Sequence, residues 1–179
     1  LLFALTPLSA LGEETKQYNW FFKSSGNDRP QLLGGETFWQ DYGALALGAP
    51  EEKVLYLTFD CGYETGTMTT ILDTLKAKNA PATFFVNGHY VESAQDMIRR
   101  MIDEGHILGN HTVNHINMAK ATAQEFIDEI TGLENMVKDI YPNYGPIRYY
   151  RPPEGAASVW ALKMADRLGI RTKFWSYTY

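Results

Sequence analysis

Two histidines, His111 and His115, lie four residues apart in the segment HTVNH. On a helical turn this spacing would put both imidazoles on one face, where they suit a metal ion that accepts nitrogen ligands, with zinc as the default. The zinc-peptidase alternative needs a glutamate directly after the first histidine, and Thr112 occupies that position. The spacing by itself is a weak signal, and it predicts a metal site only in combination with a carboxylate from a neighbouring strand.

Asp60 is a candidate for that carboxylate. It ends the apolar run VLYLTFD and precedes Cys61, which is the only cysteine of the chain. We expect Asp60 to be partly buried, and a buried carboxylate needs a partner. Arg151, at the end of another predicted strand, is the expected partner. Two interpretations stay open at this point: a structural ion pair, or a general base that Arg151 holds anionic and oriented.

Polar residues follow four predicted strands, and in parallel α/β folds the ends of strands meet on one face. Asn87 and His89 follow the second of these strands. The segment RPPEG after the fourth combines a rigid turn with a glycine, which can hold a backbone N–H in a fixed direction, although an ordinary strand-to-helix loop is the simpler interpretation. His106 starts the third strand, at the opposite end, and is predicted to be structural.

Alternating strand-like and helix-like segments must position these groups. The predicted strands cover residues 54–60, 82–87, 106–111, 147–151 and 171–177. The predicted helices cover residues 67–79, 92–105 and 158–169, and a long helix begins at a capping box formed by Thr122 and Glu125. This order predicts a parallel sheet with crossover helices, either open or closed into a barrel.

Composition excludes some classes of protein. The 179 residues are 45% hydrophobic, carry a formal charge of −5 and contain no block of Lys or Arg, which argues against nucleic acid and an anionic membrane surface as partners. Residues 1–12 are interpreted as the remnant of a signal peptide or membrane anchor, with a buried first element as the alternative. Residues 13–52 form a predicted arm packed on a body of residues 53–179. Both ends of the chain indicate a fragment, and one cysteine leaves the redox compartment undecided.

The segments TFDCG, HTVNH and RPPEG together resemble, in order and spacing, three motifs of the polysaccharide deacetylase family, carbohydrate esterase family 4. TFDCGYETG and the arm WFFKSSGNDRP are similar to the branch that deacetylates muramic acid on the way to the δ-lactam of spore cortex. The resemblance implies a distorted β/α barrel, incomplete at the C-terminus of this chain. It also implies an exported enzyme of the cell or spore envelope that deacetylates N-acetylmuramic acid of peptidoglycan. Deacetylation of chitin-like polymers, and a carbohydrate-binding pseudoenzyme, are the alternatives.

The resemblance also implies a role for individual residues. Asp60 matches the general base, Arg151 the residue that orients it, and the backbone N–H of Glu154 an oxyanion donor. His111 and His115 match ligands of a divalent metal, with zinc as the first choice. Cys61 occupies the position of a third ligand, where the family has aspartate and this branch asparagine, and we expect a neutral thiol there. The family's general-acid histidine is predicted to be missing. The residues predicted to bind substrate are Tyr63, Asn87, Pro153 and Trp175.

Overall fold

A computed structural model describes residues 14–26, 28–35 and 39–178 of the chain. The strands are β1 (Tyr18–Asn19), β2 (Phe22–Ser25), β3 (Asp28–Leu32), β4 (Thr58–Cys61), β5 (Thr83–Val86), β6 (Ile107–Asn110), β7 (Tyr149–Tyr150), β8 (Ala156–Ala157) and β9 (Arg171–Thr172). The helices are α1 (Met68–Ala77), α2 (Gly88–Ser93), α3 (Gln95–Asp103), α4 (Ala123–Ile140) and α5 (Val159–Arg167), with a 3₁₀ turn at Pro153–Gly155. The predicted leader, residues 1–12, lies outside the described residues.

A five-stranded parallel sheet in the order β4-β5-β6-β7-β9 forms the centre of the fold. Cys61 lies opposite Val86, Val86 opposite Asn110, and Asn110 opposite Tyr150. Because the strands are parallel and in this register, the residues that follow them meet at one edge of the sheet. The predicted α/β fold with a parallel sheet is therefore confirmed. Over the described ranges the sheet does not close on itself, so the barrel remains a prediction.

Helix α4 shows how sequence periodicity becomes packing. Thr122 accepts the N–H of Glu125 with its side chain while the Glu125 carboxylate accepts the N–H of Thr122, so the predicted capping box is present. The helix buries one face at a 3.6-residue period, against the sheet and the neighbouring helices. The buried residues of this face are Phe126, Glu129, Ile130, Leu133, Val137 and Ile140.

Two predicted elements differ from the observed ones in their bounds. The first strand is β4 alone, and residues 54–57 before it are exposed, with Leu55 88% accessible. Pairing with β5 stops there because the chain reaches Pro81, which has no N–H to donate. The helix predicted over 92–105 is two helices, α2 and α3, separated at Ala94, where φ −128° and ψ 41° are not helical.

The predicted fourth and fifth strands are also shorter than expected, being β7 and β9 of two residues each. Beyond β9 the pairing continues in another way, since Leu45 from the N-terminal region bridges Lys173 in parallel. The segment 171–177 therefore carries fewer ladder residues than its aromatic and β-branched composition indicates.

The N-terminal region contacts the body through strand pairing and aromatic packing. Strand β1 pairs with β8 antiparallel, and β2 with β3 forms a separate hairpin. Trp20 stacks on Phe174 with ring centroids 4.3 Å apart, and Trp39 packs edge-on against both rings. No helix in the described ranges is long and apolar enough to cross a membrane.

Candidate active site

Arg151 and Asp60 form an ion pair at the carboxyl edge of the sheet. The Nη1 of Arg151 donates to Oδ1 of Asp60 at 2.6 Å. The Arg151 side chain is only 3% exposed whereas that of Asp60 is 40% exposed. Asp60 is thus partly buried as expected, with part of its carboxylate open to solvent at the end of β4. The arginine is the buried member of the pair, and the carboxylate keeps access to a ligand.

Arg151 is held in place by more than its carboxylate partner. Its Nη2 donates to Thr58 Oγ1 at 2.9 Å and its Nε to Lys173 O at 3.3 Å. The guanidinium lies 4.2 Å from the centroid of the Phe85 ring, in cation–π contact. Gly109 makes room for that ring, because a Cβ there would lie 2.4 Å from Phe85 Cδ1. These contacts fix the orientation in which Arg151 presents itself to Asp60.

His111 follows β6 and is buried beside the same arginine. Its Nδ1 forms a 2.8 Å hydrogen bond with the main-chain carbonyl of Arg151. Because the carbonyl can only accept, Nδ1 carries the proton and Nε2 is left with its lone pair, which is the arrangement of a metal-ligating histidine. Burial lowers the pKa of His111, and the Asp60 charge opposes this effect. The neutral imidazole that a metal requires is thus favoured.

His115 lies next to His111, but not on a helical turn as the spacing suggested. Their ring centroids are 4.9 Å apart at an interplanar angle of 77°. Residues 111–115 form a loop, in which Thr112 and His115 have positive φ of 67° and 54°. Thr112 Oγ1 accepts the N–H of His115 at 2.9 Å and closes this turn. Tertiary structure, rather than helical periodicity, brings the two rings together.

The two imidazoles fit a divalent cation, but the predicted third ligand does not join them. Among the described residues, no group of three or more His, Cys, Asp or Glu side chains is arranged to hold a metal ion. Cys61 is buried, and burial, with smaller contributions from the charges of Asp60 and Glu64, raises its pKa to about 12. Without a metal its thiol is therefore neutral at physiological pH. Among the described residues the donors present are the two imidazole rings, which leave the other coordination positions to water or substrate.

The remaining predicted residues lie in different environments. Glu154 is exposed and has φ 59°, in the left-handed region. Pro153 is buried, and Trp175 is half-buried with its ring centroid 5.5 Å from the Arg151 guanidinium carbon. Tyr63 is 74% exposed, and its ring lies 4.6 Å from that of His89.

Asn87 has a structural task in addition to its predicted one. Its Oδ1 accepts the N–H of Tyr90 at 2.9 Å and caps helix α2. Its Nδ2 faces Gly62, where an added Cβ would lie at 3.4 Å.

His106, predicted to be structural, accepts the N–H of Ala82 through Nδ1 at 3.2 Å in a buried position, and this prediction is confirmed.

Sequence reasoning missed the residues that contact and orient Arg151 and the loop of residues 111–115. Thr58 and Phe85 hold the Arg151 guanidinium, and they were expected only as strand residues. Glu129 lies on the buried face of α4 and accepts two hydrogen bonds from Asn114, in the loop of residues 111–115 that carries both histidines, which we call the histidine loop. The available signal was a carboxylate among the apolar residues of an amphipathic helix, because such a group requires a specific partner.

Comparison with known proteins adds independent information. Residues 48–173 match the family described as Polysaccharide deacetylase. The chain is 41% identical over 163 residues to the peptidoglycan-N-acetylmuramic acid deacetylase PdaA of Bacillus subtilis, which covers 90% of this chain and 62% of that protein. It is 34% identical over 139 residues to a peptidoglycan-N-acetylglucosamine deacetylase of Bacillus cereus, covering 77% of this chain and 50% of that protein.

The fold has a close counterpart among solved structures. The structure of Bacillus subtilis PdaA, described as a family 4 carbohydrate esterase, matches with a TM-score of 0.86 and 39% identity, over 92% of this chain and 71% of that one. The chain thus spans 62% and 50% of the length of the two curated relatives.

Proposed function

The chain belongs to the polysaccharide deacetylase family, and from this premise we propose that it hydrolyses the N-acetyl group of N-acetylmuramic acid in peptidoglycan and releases acetate. The family resemblance read from the three motifs is thereby confirmed, including its similarity to a muramic acid deacetylase. The substrate class locates the reaction in the cell envelope. Export of the protein and a contribution to the muramic δ-lactam of spore cortex are finer parts of the proposal.

One observation carries the assignment of the site. Arg151 contacts Asp60 through its side chain and His111 through its main-chain carbonyl, so a single buried residue connects the proposed base to a proposed metal ligand. A surface ion pair would not need a buried arginine whose guanidinium donates three further hydrogen bonds, to Thr58, Lys173 and Phe174. The arrangement instead fixes two reactive groups relative to each other, as hydrolysis requires.

In the proposed mechanism Asp60 acts as general base. Arg151 orients the carboxylate through the hydrogen bond from Nη1 to Oδ1. Asp60 removes a proton from the attacking water, whose oxygen adds to the acetamide carbonyl carbon. The C–N bond then breaks, acetate leaves, and the proton held by Asp60 is available to the departing sugar nitrogen. The Glu154 N–H is the proposed donor to the developing oxyanion.

His111 and His115 are the proposed holders of a divalent cation, zinc in the first instance. When bound, the cation supplies Lewis-acid chemistry at the acetamide carbonyl. The residues themselves contribute preorganisation: the Nδ1 bond of His111 fixes its ring, and Thr112 fixes the backbone of His115. Tyr63 and Trp175 offer aromatic surface, and Asn87 and Pro153 complete the proposed substrate-binding set.

The test is acetate release by the protein from peptide-free muramic acid glycan, measured beside chitin oligomers and with a chelator arm. Release from the muramic glycan that the chelator abolishes and zinc restores is the expected result. Release from chitin oligomers alone would move the substrate to N-acetylglucosamine polymers. Release that is unaffected by the chelator would exclude the proposed role of the two histidines.

Glycan binding without hydrolysis is a second candidate, and the lack of a third ligand beside the two histidines, among the described residues, is the observation that favours it. In the part of the chain that the structure describes, no Cys, Asp or Glu side chain joins His111 and His115 in a group of three. Metal content after mild purification distinguishes the two functions, with His111→Ala as the control. A stoichiometric cation in the parent that is lost in the variant supports the enzyme, whereas equal trace metal in both supports the binding protein.

A further inference from the structure

Glu129 lies on the buried face of α4, behind the loop that carries the two histidines. Its carboxylate is shared by the main chain and side chain of one residue: Oε2 accepts the N–H of Asn114 at 2.8 Å, and Oε1 accepts from Asn114 Nδ2 at 2.6 Å. Glu129 is 6% exposed, and within the described ranges no Lys or Arg forms an ion pair with it. A buried carboxylate without a cation is costly, so its two hydrogen bonds have a specific structural purpose.

We propose that Glu129 is a positioning residue that holds the loop of residues 111–115 in a metal-ready conformation before any metal binds. The proposal rests on the proposed metal-dependent function, which it deepens by assigning the residue that determines the geometry of His115. Asn114 directly precedes His115 in the chain. Fixing both polar groups of Asn114 therefore fixes the point from which the His115 ring projects.

The backbone of the loop explains why such a residue is needed. Thr112 and His115 both have φ in the left-handed region, which L-residues with a Cβ rarely adopt. An unsupported loop would relax to extended or right-handed conformations and separate the two rings. The loop must be held by contacts from outside, and Glu129 supplies two charge-assisted ones.

Helix α4 also supports the loop through the residue next to Glu129. The Asn110 side chain donates to Ile130 O at 2.8 Å and accepts the N–H of Thr112 at 2.9 Å. From the other side, the Gly88 N–H lies 3.2 Å from Thr112 O and 3.0 Å from Val113 O. Of these contacts, only those of Glu129 reach the residue adjacent to His115. Its removal should therefore affect His115 more than His111.

A charge-conserving exchange of the two partners separates positioning from simple stability. In Glu129→Gln, the new amide nitrogen faces one of the two Asn114 donors, so one hydrogen bond is lost. In the double variant Glu129→Gln/Asn114→Asp, that amide nitrogen can donate to the new carboxylate, while its oxygen still accepts the main-chain N–H of residue 114. Glu134→Gln is the matched control, because Glu134 lies on the same helix and pairs with Lys138 at 2.7 Å, one turn away on that helix.

The first measurement is zinc affinity, by competition with a chromophoric chelator. We expect Glu129→Gln to weaken zinc binding about 10- to 100-fold, the range for residues that orient metal ligands. The double variant should recover most of this loss, and Glu134→Gln should stay within about twofold of the parent, the change expected when an exposed pair is removed. Equal affinity in Glu129→Gln and the parent would overturn the proposal.

The second measurement is amide hydrogen exchange of residues 112–116 in the metal-free protein. Faster exchange in Glu129→Gln that is confined to this loop, and reversed in the double variant, is the expected result. Faster exchange throughout the sheet would show a merely structural residue and overturn the proposal. A parent protein that binds no zinc would refute the metal site of the proposed function, and the exchange comparison would then decide the role of Glu129 independently.

Discussion

The buried Arg151 side chain donates a hydrogen bond from Nη1 to Oδ1 of the more exposed Asp60, at 2.6 Å. The arginine side chain is 3% exposed and that of the aspartate 40% exposed. The two residues are 91 positions apart in the chain and meet because β4 and β7 belong to the same parallel sheet. A buried cation with further acceptors at Thr58 and Lys173 does not depend on the carboxylate for its position. Asp60 can therefore change its protonation state during a reaction while Arg151 stays fixed.

Asp60→Asn should remove activity and keep the fold. The amide oxygen can still accept from Arg151, but the amide cannot take a proton from water. We expect kcat for acetate release to fall by about 10²- to 10⁴-fold, the usual contribution of a general base. The midpoint of thermal unfolding should change little, because the amide oxygen of the variant keeps the hydrogen bond from Arg151 and the Asp60 side chain is 40% exposed. Asp73→Asn, an exposed carboxylate on α1 paired with Arg100, is the control and should keep full activity.

Gly88→Ala should disturb the histidine loop through packing. A Cβ at this position would lie 2.7 Å from Val113 O and 3.0 Å from Val113 Cγ1, so the loop backbone must move. We expect zinc affinity, measured by chelator competition, to fall at least tenfold. The matched control is Gly145→Ala, where an added Cβ meets nothing within 4 Å. Unchanged affinity in Gly88→Ala would mean that the loop can shift without moving the two rings.

Cys61 should contribute a pH dependence to stability in the alkaline range. Burial raises its pKa from an ordinary value of 9.0 to about 12, so the folded state retains a proton that the unfolded chain releases. Its stabilising contribution is therefore complete below about pH 9 and is lost as the pH rises toward 12. Urea unfolding of the parent and Cys61→Ser between pH 8 and 11 measures this difference. Parallel pH profiles of the two proteins would contradict the prediction.

The same thiol should be inert in the folded protein. At pH 8 the thiolate fraction is negligible and the residue is 4% exposed, so iodoacetamide should label Cys61 only after denaturation. Mass spectrometry of native and denatured samples measures the fraction of Cys61 that is labelled in each state. Rapid labelling of the native protein would show an accessible thiolate and contradict the prediction.

Glu125 should make the start of α4 sensitive to acid. The main-chain and side-chain hydrogen bonds from Thr122 lower the pKa of its carboxyl group below the ordinary 4.5. A lowered pKa means that the stabilising effect is present above about pH 4.5 and is lost as the pH falls through the folded-state value. Thermal unfolding from pH 3 to 7 should therefore show a smaller pH dependence in Glu125→Gln than in the parent. Asp139→Asn, exposed on the same helix, should leave the parent profile unchanged.

Several elements were predictable because their causes are local. The apolar period of α4 and its capping box lie within a few residues of one another, and hydrogen bonds inside one turn determine where the helix begins. The order of the three motifs likewise indicated the family and the edge of the sheet that carries the site. Strand lengths were less predictable, since the ladder beside residues 54–57 ends at Pro81, a residue that belongs to another segment.

The sequence by itself thus determined the class of fold, the residue types at the site and the side of the sheet on which they gather. Tertiary structure decided how they act together: the bond of His111 to the Arg151 carbonyl, the non-helical loop before His115, the neutral state of Cys61 and the support from Glu129. The reason is physical. Propensity and capping depend on near neighbours, whereas burial, pKa and the pairing of distant side chains depend on strand register and on what packs behind each residue.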